Sequence, residues 1–437
     1  MKRLVLLVAV IGSAVLASRF LIAGGGSGAF ANATLTVTTI TSPSEGGWVW
    51  FGARRAVGNG SETITGYITG NSGGDVKAIQ IDNATRAVTA TTTLYDNFQL
   101  DDHDPPSFVV RPDGVIMAAF AYHVGELYVG IGTSPGVLPA QAQVTNITSQ
   151  VGSLTGGAGY TYASIFYLDD EDRYYIFCRY HNASGVPYFV YTYSDDDGAT
   201  WAARTAVQQI TYHQVAKNGT GRFDFVVSDH PLYGQGDNAA IHTSIYHMYY
   251  QSGSGWHKSD GTGLTPTIGN TAATLVYDGT TSRAWLWDIA INGSGNPVIV
   301  YVVYEETFPS GAWHYEYATW SGSAWSTHLV ADAGGAIAPG ATPEHGNNYA
   351  GGIVIDRTDT TVVYYSSNAG GTFQVYRAIT PDGGTSWVTT ALTSDSDKNV
   401  RPVAVVDPSS TLRVLWLYGT YTDYFTYAQG IKGAGLP

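Results

Sequence analysis

His103, His123, Tyr162 and Arg179 stand at the ends of short apolar runs in this 437-residue chain. Each is a group that does chemistry. An imidazole gives or takes a proton near neutral pH, a phenol does so once its pKa of ~10 is lowered, and a guanidinium holds an oxyanion with a fork of donors. His103 precedes and His123 follows the run Ser107–Tyr122; Tyr162 and Arg179 bracket the next such run, and Asp229 and His230 end a third. Any one of them alone reads as a surface or packing residue; the recurrence at matching places points to a site. Asp101-Asp102-His103-Asp104 crowds carboxylates round one imidazole, but adjacent residues cannot all converge on one ion, so the segment reads as a loop that orients His103. Tyr246 and His247 lie in Ser244–Tyr250, where on a strand they point to opposite faces and at most one meets a given site. No H-E-x-x-H, Walker loop or G-x-S-x-G elbow is present.

The elements that must position these residues are hairpins. Ser107–Tyr122, Tyr162–Arg179 and Trp285–Tyr304 are each an apolar run, a tight turn and a second apolar run. Their turns are Arg111-Pro-Asp-Gly114, Asp169-Asp-Glu-Asp172 and Asn292-Gly-Ser-Gly-Asn296. Further units occupy Gly351–Ser366 and Arg401–Leu417, and weaker ones open near Trp48 and Tyr212. A second hairpin follows most of them, so about seven units of four strands predict an all-β, seven-bladed propeller of four-stranded antiparallel blades. The last unit runs out after Ile431, and the Thr/Val alternation of Ala33–Ile40 is expected to supply its outer strand and close the ring. Two β-sandwich domains are the other architecture, but no linker separates them. A hairpin's open ends share one face of a propeller, so the four residues above converge from consecutive blades. Ser194-Asp-Asp-Asp-Gly-Ala-Thr-Trp201 and the looser Thr380-Pro-Asp-Gly-Gly-Thr-Ser-Trp387 resemble the Asp-box of the bacterial neuraminidase repeat. Their Asp196 and Asp382 are expected to accept turn N–H groups, and Trp201 and Trp387 to wedge between blades.

Composition agrees. The chain is 44% hydrophobic, 13% aromatic and only 13% charged, with a net charge of −14, which excludes a disordered tail protein and a basic nucleic-acid binder. Cys178 is the single cysteine, so no intrachain disulfide forms. Lys2, Arg3 and the apolar run Leu4–Ala17 read as a signal peptide within residues 1–31, cleaved after Ala17 or Ala31, leaving a propeller domain over 32–437. The expected product is secreted or periplasmic and monomeric, without stable membrane insertion after cleavage. Cleavage after Ala31 removes three cations and makes the mature charge −17, so an anionic partner must be held by a local pocket rather than drawn in by a long-range field.

The segment Asp101–Gly114 with Ala121-Tyr-His123 resembles the opening of the neuraminidase-repeat propellers that include the ulvan lyases. The likeness continues through Thr161–Ile165, Ile176–Arg179, the first Asp-box, Gly221–Pro231 and Ser244–Tyr250, and covers Trp48 to the C-terminus. It implies eliminative cleavage of a uronic-acid-containing polysaccharide. The family's two histidines fall on His103 and His123, its tyrosine on Tyr162 and its arginine on Arg179; Asp104 stands where the family usually has Asn. Asp104, Asp229, His230, Tyr246 and His247 are the expected substrate-binding residues. Some relatives carry a Cys/His zinc site; with Cys178 alone zinc is not expected, no cofactor is required, and a structural calcium is compatible.

β-Elimination removes the uronate C5 proton, and a cation on the carboxylate stabilises the charge that develops. Arg179 is assigned that cation. Tyr162 and His123 compete as base, an acid must protonate the leaving O4, and His103 binds substrate or shuttles the proton. The alternatives are a glycoside hydrolase on the same scaffold, since a related propeller is a glycosidase relying on one histidine, and a non-catalytic glycan-binding propeller. A sialidase is excluded because its early Arg-Ile-Pro is absent; Arg54-Arg55-Ala is no substitute.

Overall fold

A computed structural model describes residues 33–43, 46–70, 73–209, 212–228, 243–269, 271–304, 312–342, 348–406 and 411–437. The expected leader at 1–31, with Asp229 and His230, lies outside the described residues. No described helix is long and apolar enough to cross a membrane.

The strands form seven antiparallel sheets arranged as the blades of a propeller. The first strand of each blade is Ala56–Asn59, Ser107–Val110, Gly159–Leu168, Tyr212–Asn218, Arg283–Ile291, Ile353–Ile355 and Asn399–Ala404. Six blades have four strands and blade four has six, through the extra strands Gly263–Leu264 and Thr274–Tyr277. Thr36–Thr39 pairs with Thr426–Gly435, from Thr36 opposite Gly435 to Thr39 opposite Lys432, and is the outer strand of blade seven, as expected. Closing the ring with the chain's two ends covers an edge that would otherwise be free to pair elsewhere.

The turns follow from local chemistry. Asn292 Oδ1 accepts the N–H groups of Ser294 at 2.9 Å and Asn296 at 3.0 Å, an Asx turn that brings Ile291 and Pro297 together. Gly114 takes a φ of +87° to end the Arg111 turn, where a side chain would be strained. In the first Asp-box, Asp196 Oδ1 accepts the Thr200 N–H at 2.8 Å, and Trp201 is buried in a cluster shared by blades two and three. In the second, Asp382 Oδ1 accepts the Ser386 N–H at 2.8 Å, and Trp387 packs edge-on against Tyr317 of blade five at 5.2 Å. Both boxes therefore fasten blades together.

One expectation changes. The aromatic run at Trp48 does not open a strand; blade one begins at Ala56. Trp48–Arg55 instead threads the middle of the ring. The Trp48 indole N–H donates to the Arg401 carbonyl in blade seven and that of Trp50 to Leu286 in blade five, while Gln214 of blade four donates to the Trp50 carbonyl. The Ala53 N–H meets Ser164 of blade three and its carbonyl meets Ser107 of blade two. Trp50 stacks on Trp287 at 4.1 Å and Phe51 on Tyr212 at 4.1 Å. Large rings are needed here because seven blades leave an axial channel that their own first strands do not fill.

Candidate active site

His103 sits in the loop between blades one and two, His123 just after the second strand of blade two, and Tyr162 and Arg179 on the first two strands of blade three. The structure brings all four together beside the axial segment. The two imidazoles lie parallel, 6° apart in plane, with centroids separated by 4.0 Å. The Tyr162 ring is 5.6 Å from that of His103, and the Arg179 guanidinium carbon is 4.5 Å from the Tyr162 ring centre. Tyr162 is aimed by a bulge. The ladder between the strands Gly159–Leu168 and Arg173–His181 slips between Thr161 and Ser164, and Tyr162 adopts a φ of +61°. A bulge turns a side chain out of its alternation, and the left-handed conformation costs a non-glycine residue about 1–2 kcal/mol, which the surrounding packing must offset. Blade seven repeats the device, with a slip between Val400 and Val403 and Arg401 at a φ of +55°.

A buried carboxylate holds both histidines. Asp101 Oδ1 accepts from His103 Nδ1 at 2.5 Å, and its Oδ2 accepts from His123 Nδ1 at 2.9 Å. Asp102 Oδ1 lies 3.2 Å from the same His103 nitrogen. Asp102 is itself fixed by Arg401, fully buried, and by the Tyr421 hydroxyl at 2.9 Å. On the other side of His103, Nε2 faces the Tyr349 hydroxyl at 3.4 Å. Tyr424 meets the edge of the His103 ring at 4.8 Å.

These surroundings split the two imidazoles. Burial works against a charge on His103, but Asp101 and Asp102 outweigh it and its pKa moves up. His123 falls to about 4: burial comes first, then the charge on His103, against the pull of Asp101. Burial drives the Tyr162 phenol well up, with Arg179 only partly opposing, so it stays protonated at neutral pH. Its hydroxyl has no well-formed hydrogen bond among the described residues, although Tyr212 is beside it.

Arg179 is 4% exposed and its electrostatic partners among the described residues are tyrosines rather than carboxylates. Among the described residues its neighbours are neutral. Tyr212 lies 5.5 Å away, and His181 and His213 are each pushed down to about 3, by burial first and by the Arg179 charge second. A buried guanidinium without a counter-ion is costly to hold and is satisfied by an incoming anion.

Asp104 is buried beside the site, and neither of its oxygens has a well-formed hydrogen bond among the described residues, although the His123 backbone N–H is beside it. Burial, then Asp101 and Asp102, push its carboxyl well up despite Arg55. A protonated carboxyl has the shape and the mixed donor–acceptor character of an amide, which accounts for Asp at a place where the resemblance implies Asn. His247 is not brought to the cluster. It is fully buried in blade four, bonded through Nε2 to Asp224 at 3.0 Å and through Nδ1 to Ser259 at 2.8 Å. Tyr246 packs partly buried against the aromatic cluster of blades three and four.

Sequence reasoning missed Tyr349, Tyr424 and His181. His181 had a signal: it lies two residues beyond Arg179 on one strand and therefore shares its face. The two tyrosines come from segments remote in sequence, and only closure of the ring brings them in.

Donor atoms of Asp101, His103 and His123 lie within 4.8 Å of one another, close enough to suggest a metal. The ring geometry does not fit one. A zinc ion must lie in the plane of each imidazole at about 2.0–2.1 Å from its nitrogen. Parallel rings stacked 4.0 Å apart would leave an ion shared between them out of both planes.

Among solved structures, the chain is similar to a family PL25 polysaccharide lyase, an ulvan lyase bound to -[GlcA(1-4)Rha3S]-. The TM-score is 0.66 at 14% identity over 90% of this chain and 95% of that one. It is also similar to the polysaccharide lyase Uly1, with a TM-score of 0.57 at 10% identity over 91% of each chain. These likenesses establish the propeller. No curated protein sequence matches the chain. The sequence model of the BNR repeat-containing family matches residues 65–333, more than half the chain and most of the residues that build the site, and the protein belongs to that family.

Proposed function

We propose that the protein is a polysaccharide lyase that cleaves a uronic-acid-containing, ulvan-like polysaccharide by β-elimination. The observation that carries the reading is Arg179, a buried guanidinium whose neighbours among the described residues are neutral and which lies beside two unlike proton-transfer groups. A uronate carboxylate seated on Arg179 supplies the missing anion, and the guanidinium then stabilises the enolate-like charge that follows loss of the C5 proton. His123 is the base. Its Nδ1 is committed to Asp101, so its Nε2 carries the lone pair. Its low pKa makes it a weak base in the empty site, and the arriving carboxylate raises it. Tyr162 protonates the leaving O4, since its phenol is held neutral. His103, whose charged form Asp101 and Asp102 favour, places a positive field beside the reacting centre. The solved ulvan lyase complex, which holds a glucuronate-containing oligosaccharide on the same fold, supports the substrate class.

A glycosidase with two available carboxyl groups flanking the bond fits the described residues of the site poorly, whereas one relying on a single histidine is told apart by its products. Asp101 and Asp102 are engaged with His103, His123 and Arg401, and Asp104 is buried. The test is to incubate the purified protein with ulvan and other uronate polymers and record ultraviolet absorbance and reducing ends together. A lyase raises both. Reducing ends without absorbance would mean a hydrolase, and binding with neither would mean a glycan-binding propeller. Export through the leader at 1–31 belongs to the same proposal, and N-terminal analysis of the culture medium and periplasm tests it.

A further inference from the structure

We infer that Asp101 is the positioning residue that fixes the tautomer of both site histidines: one buried carboxylate holds both by Nδ1, which leaves the lone pair of His123 on Nε2 for the substrate, while Asp102 and Tyr349 engage His103 alone and make the two unlike. The inference rests on the lyase reading for its catalytic consequence but not for its geometry. Asp101 is fully buried, and its Oδ1 also accepts the backbone N–H of His103 at 3.0 Å. Its loop is pinned from two sides: the Asp101 N–H donates to the Gln99 carbonyl at 2.9 Å, and Asp102 exchanges backbone bonds with Val49 of the axial segment and Tyr424.

An ionised carboxylate only accepts, so each Nδ1 that bonds to it must carry hydrogen. A neutral His123 therefore has its lone pair on Nε2. The pair is asymmetric because Asp102 approaches His103 alone, at 3.2 Å, and Tyr349 faces its Nε2 at 3.4 Å. The first proton accordingly belongs to His103. A second on His123 would place two positive rings in parallel at 4.0 Å. The other groups facing the pair keep this order. Arg179 repels charge on His123, Tyr162 and Tyr424 lie against His103, His181 is neutral beside Arg179, and Asp104 and Arg401 lie behind the two carboxylates. Asp101, which holds both rings, and Asp102, which meets only one, thus prepare an unlike pair within stacking distance. Metal-bound histidines are fixed in the same way by outer carboxylates, whose loss costs about 10–100-fold in function.

The test is nuclear magnetic resonance of the full chain labelled with ¹⁵N in histidine, followed from acid to neutral pH. The expected result is a His123 that is neutral near pH 7 as a single Nδ1–H tautomer, with His103 titrating above it. In Asp101→Asn the side chain offers only one acceptor for two Nδ1–H groups, so one histidine must change tautomer or turn. His123 is expected to lose its single-tautomer signature, and kcat to fall about 100-fold with KM changed only a few-fold. A wild-type His123 that is charged near pH 7, or that carries hydrogen on Nε2, overturns the inference even if the variant does not fold. An unchanged spectrum and unchanged kcat in the folded variant overturn it as well. If no uronate polymer is cleaved but the tautomers are as stated, the positioning role stands and the lyase reading falls.

Discussion

The Arg179 guanidinium lies over the ring of Tyr162, 4.5 Å from its centre, and the strands that carry them place Arg179 opposite Thr161, the residue before Tyr162. The cation and the proposed acid are therefore positioned by one hairpin, and the bulge at Tyr162 brings them face to face. Lysine keeps the charge but not the planar fork. Arg179→Lys is expected to lower kcat/KM on a uronate polymer about 10²–10³-fold, and Arg179→Ala to remove nearly all activity. Initial rates from product absorbance check both. Near-normal activity in the alanine variant would remove Arg179 from its role.

Tyr162→Phe separates chemistry from stability. The hydroxyl is buried without a well-formed hydrogen bond among the described residues, so its removal forfeits little binding within the fold. The melting temperature is expected to stay within a few degrees of the parent, corresponding to about 0.5 kcal/mol, while kcat falls about 100-fold or more. A variant that keeps its kcat would assign the O4 proton to another donor.

The hairpins were legible because their signals are local. Arg111-Pro-Asp-Gly114 and Asn292–Asn296 dictate turns whatever surrounds them, and the runs they join bury both faces between blades. His103, His123, Tyr162 and Arg179 were legible because strand ends share a face in a propeller. Trp48–Arg55 was misread as the start of a blade because an aromatic run in a strand and one in an axial channel have the same composition. The joint hold of Asp101 on two histidines was hidden for another reason. His123 is 22 residues away, and only the stacking of the two rings shows that one carboxylate serves both. The inward turn of Tyr162 required a bulge, which breaks the alternation on which sequence reasoning depends.

Histidines that burial keeps neutral, His247 and three more strongly lowered ones, make the fold sensitive to acid. His123 is lowered to about 4, and His181 and His213 to about 3, in each case by burial first. Unfolded, all three take up protons as pH falls through about 6.5. The folded chain does not until lower pH, so the unfolded state binds more protons and stability falls as pH drops from about 6.5 towards 4. Each full proton contributes about 1.4 kcal/mol per pH unit. His103, raised in the fold, acts in the opposite sense: its contribution is present at low pH and is lost as pH rises through its folded pKa. His213 stacks on Phe189 at 4.2 Å, so His213→Phe keeps the packing and removes one titrating group. Melting temperatures between pH 7 and 4 are expected to decline less steeply in that variant. An identical slope would mean that His213 is protonated in the fold.

Arg401 joins ring closure to the site. It is fully buried at the bulge of blade seven, pairs with Asp102, and donates to the Trp48 carbonyl at 2.7 Å and the Tyr421 hydroxyl at 2.6 Å. Removing it leaves the Asp102 carboxylate buried against Asp101, with His103 and Arg55 as the groups that still favour its charge. Breaking a buried pair from one side costs about 3–5 kcal/mol, whereas removing both charges costs much less. Arg401→Met is therefore expected to destabilise the protein by that amount in denaturant titration, and adding Asp102→Asn to recover part of the loss. The double variant also removes one of the two carboxylates that charge His103, so its kcat should remain low after stability returns. Full recovery of both quantities would show that Asp102 serves the ring and not the histidine; recovery of stability alone places the residue in both, as its contacts on either side imply.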